Sequence, residues 1–149
     1  MTVNDPIITP KSLMELDHHA LLQVLRLFFA EHGQGLICAY LFGSTARGTA
    51  NTHSDIDLAL LYAESPPDTL EGLGIDVAVA LQQRLHRPVD CVVLNRAPVD
   101  LIHRVLRDGI LVYEQDRSRR IRFEVQARNA YFDLLPVLRQ YRKARDIKT

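Results

Sequence analysis

No part of the chain restricts its fold more than the stretch Tyr40–Leu61. An apolar run ends at Gly43-Ser44, a polar connection containing Gly48 follows, and a second apolar run opens on Asp55-Ile56-Asp57. The pattern is strand, loop, strand. Successive side chains of a strand point to opposite faces, so Asp55 and Asp57 project one way and Ile56 the other. Two carboxylates about 4 Å apart, at an effective dielectric of about 20, repel by roughly 4 kcal/mol. A shared proton, a neighbouring cation or a divalent metal can offset that, and Mg²⁺ favours one or two carboxylates together with substrate phosphates. Gly43 lets the backbone come close to a ligand, and the Ser44 hydroxyl with nearby N–H groups can donate to phosphate oxygens. Arg47 adds a cation able to hold phosphate in a bidentate way. Anion binders thus face metal binders across one short loop.

Gly43-Ser44, ten intervening residues and Asp55-Ile56-Asp57 resemble the Gly-Ser-x10-Asp-x-Asp motif of the nucleotidyltransferase superfamily related to polymerase beta. The fuller Gly-Ser-Thr-Ala-Arg-Gly with Ser-Asp-Ile-Asp-Leu is similar to its minimal (MNT) branch. The chain length and the long basic helix at the end resemble the adenylyltransferase antitoxins of HEPN/MNT toxin–antitoxin systems. This resemblance implies an α/β (α+β) polymerase beta-like nucleotidyltransferase fold, with a mixed sheet of about four strands flanked by helices and a long C-terminal helix. It also implies ATP as substrate and two Mg²⁺ ions, or Mn²⁺ in their place. Asp55 and Asp57 would hold both ions, Gly43 and Ser44 would grip the β and γ phosphates, and Arg47 would assist with triphosphate charge.

Val89–Leu94, Val-Asp-Cys-Val-Val-Leu, reads as a third strand with one acid near its start. If that strand lies beside the Asp55–Asp57 strand, Asp90 brings a third carboxylate to the same site; otherwise it is a rim aspartate in solvent. In the family the third aspartate of the triad falls on such a strand. The resemblance therefore gives Asp90 the role of completing the ion nearest the acceptor, with Asp76 a weaker substitute. Asp55, Asp57 and Asp90 are the candidate catalytic and metal-holding set.

A chain of 149 residues is ordinarily one domain able to bury a sizeable core, and 47% hydrophobic with 24% charged residues is an ordinary globular balance. We expect a single minimal nucleotidyltransferase domain over 1–149, with a core at about 12–114 and a helical extension at about 117–145. The N-terminus has no secretory pattern and no apolar run is long enough to span a bilayer, which points to a cytoplasmic protein without a membrane partner. Lys plus Arg and Asp plus Glu both total 18, so no net field attracts nucleic acid, and direct nucleic-acid binding is not expected. From Arg117 to Thr149, however, ten basic residues stand against three acids, which reads as either a solvated helix face or a surface for an acidic partner. Cys38 and Cys91 sit inside apolar runs and read as buried, reduced residues without a metal role. Among the histidines only His53, beside the aspartates, merits attention.

Taken in order, Met1–Lys11 reads as an extended lead-in. Ser12 and Glu15 form a capping box before a helix to about His32. Strands are expected at Leu36–Phe42 and Ile56–Tyr62, a helix over about Thr69–His86, or from a later start because Gly72 and Gly74 weaken its first turn, and the third strand at Val89–Leu94. A helix begun near Pro98 ends at Gly109, and a short edge strand spans Ile110–Tyr113. A long helix spans Arg117–Arg145, with Ile121, Val125, Leu134, Leu135, Leu138 and Tyr141 inward and a bend at Pro136.

Three functional readings follow. The first is an antitoxin that transfers AMP from ATP to a tyrosine of a HEPN ribonuclease toxin, which it meets through Arg122, Arg128, Tyr131 and Tyr141 of the C-terminal helix. The chain lacks the Arg-x4-His-x-Tyr motif of such toxins, so it would be the modifying enzyme. The second is a small-molecule or tRNA nucleotidyltransferase. The third is an antitoxin acting by steric binding with its site idle, against which the presence of all three carboxylates weighs.

Overall fold

A computed structural model describes residues 18–47, 54–69, 72 and 74–147. The chain order is α1 (His18–His32), β1 (Leu36–Phe42), α2 (Gly43–Ala46), β2 (Ile56–Tyr62), α3 (Ile75–Leu85), β3 (Val89–Val93), α4 (Val99–Asp108), β4 (Ile110–Glu114) and α5 (Arg117–Ile147). The sheet runs β3-β2-β1-β4, so the two most apolar strands are central. β1 is antiparallel to both β2 and β4, while β2 and β3 are parallel and joined by the crossover helix α3 that such a pair requires.

Alternation along the strands sorts residues onto two faces. Ile56, Leu58 and Leu60 of β2 join Leu21, Leu25, Phe28 and Phe29 of α1 and Val77, Leu81 and Leu85 of α3 in one cluster. The α1 residues recur at the i, i+4, i+7, i+8 spacing of a single helical stripe. Ala59 and Leu61 point the other way, into a second cluster with Tyr40, Ile102 and Val105, against which Phe123 and Ala127 pack. Each fully buried Leu or Phe contributes about 1.5–3 kcal/mol. On β1 the register shifts between Leu36 and Cys38, which lets Ile37 and Cys38 both reach the second cluster. The Cys38 thiol is pushed up to about 11 and that of Cys91 to about 12, chiefly by burial, so both stay protonated.

One expectation needs revision in part, and two helix ends become definite. The crossover helix takes the later start that its glycines allow, beginning at Ile75 after Gly74 at φ +76. A Cβ at Gly74 would stand 3.1 Å from the Cys91 side chain, so a close approach to β3 and a left-handed backbone both fall on that residue. The inward face of α5 is the expected one only in part: Leu134, Leu135 and Leu138 are half-buried, but Ile121, Val125 and Tyr141 are exposed, and the face turned to the sheet carries Arg120, Phe123, Glu124 and Ala127. There the Tyr40 hydroxyl donates to Glu124 at 2.6 Å, and Arg120 donates to Glu124 at 2.8 Å and to Glu114. Polar anchoring hid this stripe from a hydrophobic count. Finally, α5 is one helix that includes Pro136, as expected, and it ends at Ile147, two residues past the expected Arg145. The capping box at Ser12, the lead-in and His53 lie outside the described residues.

Candidate active site

β1 ends where β2 and β3 begin, and this end of the sheet gathers the singled-out residues. Phe42 pairs with Asp57 across β1 and β2, and Asp57 pairs with Asp90 across β2 and β3. Directly opposed residues share a face, so Asp57 and Asp90 stand side by side, and Asp55, two residues before Asp57, belongs to that face too. It is the face covered by α4 and α5. Asp76 instead lies in the first turn of α3, off this row.

Gly43 turns the chain from β1 into α2 at φ +73, a backbone conformation that favours glycine. A Cβ there would collide with the Asp57 carboxylate. Glycine at this place therefore does two things: it makes the turn, and it leaves the carboxylate room beside the backbone. Thr45 of α2, itself buried, donates to the Asp55 carbonyl at 3.2 Å and ties the start of β2 to the Gly-Ser turn.

Asp57 is half-buried, while Asp55 and Asp90 are exposed. Burial raises the Asp57 carboxyl above the usual carboxylate range, the charges of Asp90 and Asp55 raise it further, and Arg47 partly opposes them. The repulsion expected among these carboxylates is thus present in the fold. Among the described residues no group of three or more His, Cys, Asp or Glu side chains converges as a ready-made metal cage. A divalent cation fits this place in another way, held by a pair of carboxylates with the remaining ligands from substrate phosphates and water.

A cleft of about 380 Å³ opens beside Asp57. Phe42, Gly43, Ser44, Arg47 and Asp57 form one side, and Leu101, Arg104, Arg107 and Asp108 of α4 form the other. Asp90 lines a separate hollow of about 260 Å³ against α3, with Gly74, Ile75 and Val79.

Comparison with known proteins identifies the family. Residues 25–118 match the family Polymerase beta, Nucleotidyltransferase. The chain belongs to that family. It is 33% identical over 98 residues to the protein adenylyltransferase MntA of Shewanella oneidensis, an alignment that spans 65% of each protein. A crystal structure of a toxin–antitoxin with AMP-PNP superposes with a TM-score of 0.67 at 27% identity, covering 90% of this chain and all of that one. A mutant of the toxin–antitoxin MntA-HpeT gives 0.66 at 28% identity, over 90% of this chain and 99% of that one. The mixed four-stranded sheet and the long C-terminal helix are those of the nucleotidyltransferase fold expected from the sequence.

Sequence reasoning missed the α4 side of the cleft and also Arg87. Arg87-Pro88 reads only as a helix stop, yet the guanidinium is buried and donates to the Ser54 carbonyl at 2.8 Å, while its Nε has no hydrogen-bond partner. Burial lowers the Arg87 pKa and the Asp55 charge partly restores it, so a buried cation stands behind the first aspartate. The signal that could have revealed it is the position of Arg87 three residues before Asp90, just ahead of the strand that carries it.

Proposed function

We propose that this chain transfers AMP from ATP to a tyrosine hydroxyl of a HEPN ribonuclease partner, acting as the antitoxin of that pair. The observation that carries the reading is the side-by-side placement of Asp57 and Asp90 next to a glycine whose missing side chain makes room for the Asp57 carboxylate. The likeness to an adenylyltransferase and to toxin–antitoxin structures supports it.

Nucleotidyl transfer asks a protein to set an attacking oxygen in line with the leaving group and to neutralise developing charge. The acceptor oxygen would bond to the α phosphorus, the bond from that phosphorus to the oxygen bridging the β phosphate would break, and pyrophosphate would leave. Gly43 and Ser44 would hold the triphosphate tail by backbone and hydroxyl donors, and Arg47 would offset its charge. Asp55, Asp57 and Asp90 would hold two Mg²⁺ ions, which when bound neutralise the phosphates and acidify the acceptor hydroxyl. Asp90, beside Asp57 on the same face of the sheet, would orient the acceptor hydroxyl and take up its proton.

The acceptor surface of one small domain is limited, so the partner would supply much of it. The second half of α5 suits that contact, with Phe132, Val137 and Tyr141 exposed among basic side chains. Mass spectrometry of the co-expressed partner after incubation with ATP and Mg²⁺ tests the proposal. Added mass in units of AMP is expected; a partner neutralised at unchanged mass would leave only the steric-binding reading.

A further inference from the structure

The amphipathic helix α4 sends Ile102 and Val105 into the core and presents a different stripe to the cleft. Leu101, Arg104 and Asp108 recur at i, i+3 and i+7, with Arg107 one turn beyond Arg104, and all four line the same hollow as Gly43, Ser44 and Asp57. Charged residues on an outer helix face usually meet only solvent. Here they close one wall of a cleft whose other wall holds the nucleotide-binding turn.

The two arginines are held differently. Arg107 donates two parallel hydrogen bonds to Asp108, at 2.9 and 2.8 Å, the fork geometry by which guanidinium holds a carboxylate or a phosphate. Arg104 has no hydrogen-bond or ion-pair partner among the described residues. Hydrogen bonding from Arg107 holds the Asp108 carboxyl below the usual range, and the charges of Arg47 and His103 add to the effect. Arg47 on one wall and Arg107 on the other therefore act on the same carboxylate. Three guanidiniums and two carboxylates, Asp57 and Asp108, line the cleft, and any cation bound at Asp57 shifts that balance further toward an anionic ligand.

We propose that the C-terminal end of α4 is the second wall of the triphosphate site, with Arg104 and Arg107 binding the β and γ phosphates that leave as pyrophosphate. Asp108 is the resident acid that Arg107 exchanges for phosphate. The inference rests on the nucleotidyltransferase reading and adds to it two binding residues outside the Gly-Ser and Asp-x-Asp motifs. The exchange breaks no covalent bond: one bidentate anion replaces another on the same guanidinium.

Calorimetric titration of the full chain in Mg²⁺ with inorganic pyrophosphate, ATP and AMP tests it. Arg104→Ala and Arg107→Ala are each expected to weaken pyrophosphate and ATP about tenfold or more while AMP changes less than about twofold, a split that loss of structure would not produce. Asp108→Asn, which frees Arg107 from its acid, is expected to tighten pyrophosphate a few-fold. If both arginine variants bind pyrophosphate as the unaltered chain does while Arg47→Ala binds it weakly, the α4 wall is overturned and the nucleotidyltransferase reading stands. If the unaltered chain binds neither ATP nor pyrophosphate, both fall together.

Discussion

Asp57 is the residue on which chemistry and stability pull in opposite directions. Its carboxyl is raised by burial and by the charges of Asp90 and Asp55, so folding disfavours its charged form relative to the unfolded chain. Its contribution to stability is therefore complete below the pKa of an unfolded aspartate and is lost as pH rises through the higher folded value. Asp57→Asn is expected to melt at or above the unaltered chain at neutral pH, and the difference should vanish in acid. Mg²⁺ with ATP should raise the melting temperature of the unaltered chain and not of the variant, while transfer falls by several powers of ten, each power about 1.4 kcal/mol of barrier. Thermal melts across pH, with and without Mg²⁺ and ATP, check both halves. A second expectation concerns Gly43, where the backbone is left-handed and the Asp57 carboxylate fills the place of a side chain. Gly43→Ala should cost about 1–2 kcal/mol from the backbone alone, measured by denaturant unfolding, and should lower ATP affinity by displacing the carboxylate. At this scale much was legible. The Gly-Ser and Asp-x-Asp spacing places Gly43, Ser44, Arg47, Asp55 and Asp57 at one loop, and Asp90 follows once its strand lies next to β2. Arg87, Arg104 and Arg107 were not legible, because nothing local marks an arginine whose neighbours come from a distant element.

Elements reveal a different limit. Nearly continuous apolar runs, the mark of strands covered on both faces, identified β1 and β2 as central, and its shortness marked β4 as an edge. The long helix defeated the same reasoning. Its first half is fixed by Tyr40, Glu124, Arg120 and Glu114, by Asp116 accepting the Arg119 N–H at 3.0 Å at its start, and by His103 stacked on Tyr131 with ring centroids 3.6 Å apart. Polar partners 84 positions apart in the chain leave no periodic apolar trace. Glu124→Ala, which strands the Tyr40 hydroxyl and the Arg120 guanidinium, should cost about 1–3 kcal/mol in denaturant unfolding. Tyr141→Ala, on the exposed second half, should change stability by less than about 0.5 kcal/mol and, if α5 meets the partner, weaken that association in a pull-down or titration.

For the molecule as a whole, equal numbers of acids and bases conceal a division of labour. Carboxylates collect at the end of the sheet, guanidiniums line the facing wall of α4, and the basic excess continues along α5. Among the described residues no helix is long and apolar enough to cross a membrane. Asp57 and Asp90 stand side by side at one end of the sheet, next to a cleft lined by Gly43, Ser44 and α4, and the proposed transfer would take place there. The most direct measurement of that arrangement is the release of pyrophosphate from ATP in Mg²⁺ with the HEPN partner present, compared between the unaltered chain and Asp57→Asn and matched to the mass gained by the partner. One pyrophosphate per AMP added, absent in the variant, is the expected result. Equal release from the variant, or a partner silenced without any release, would contradict the account.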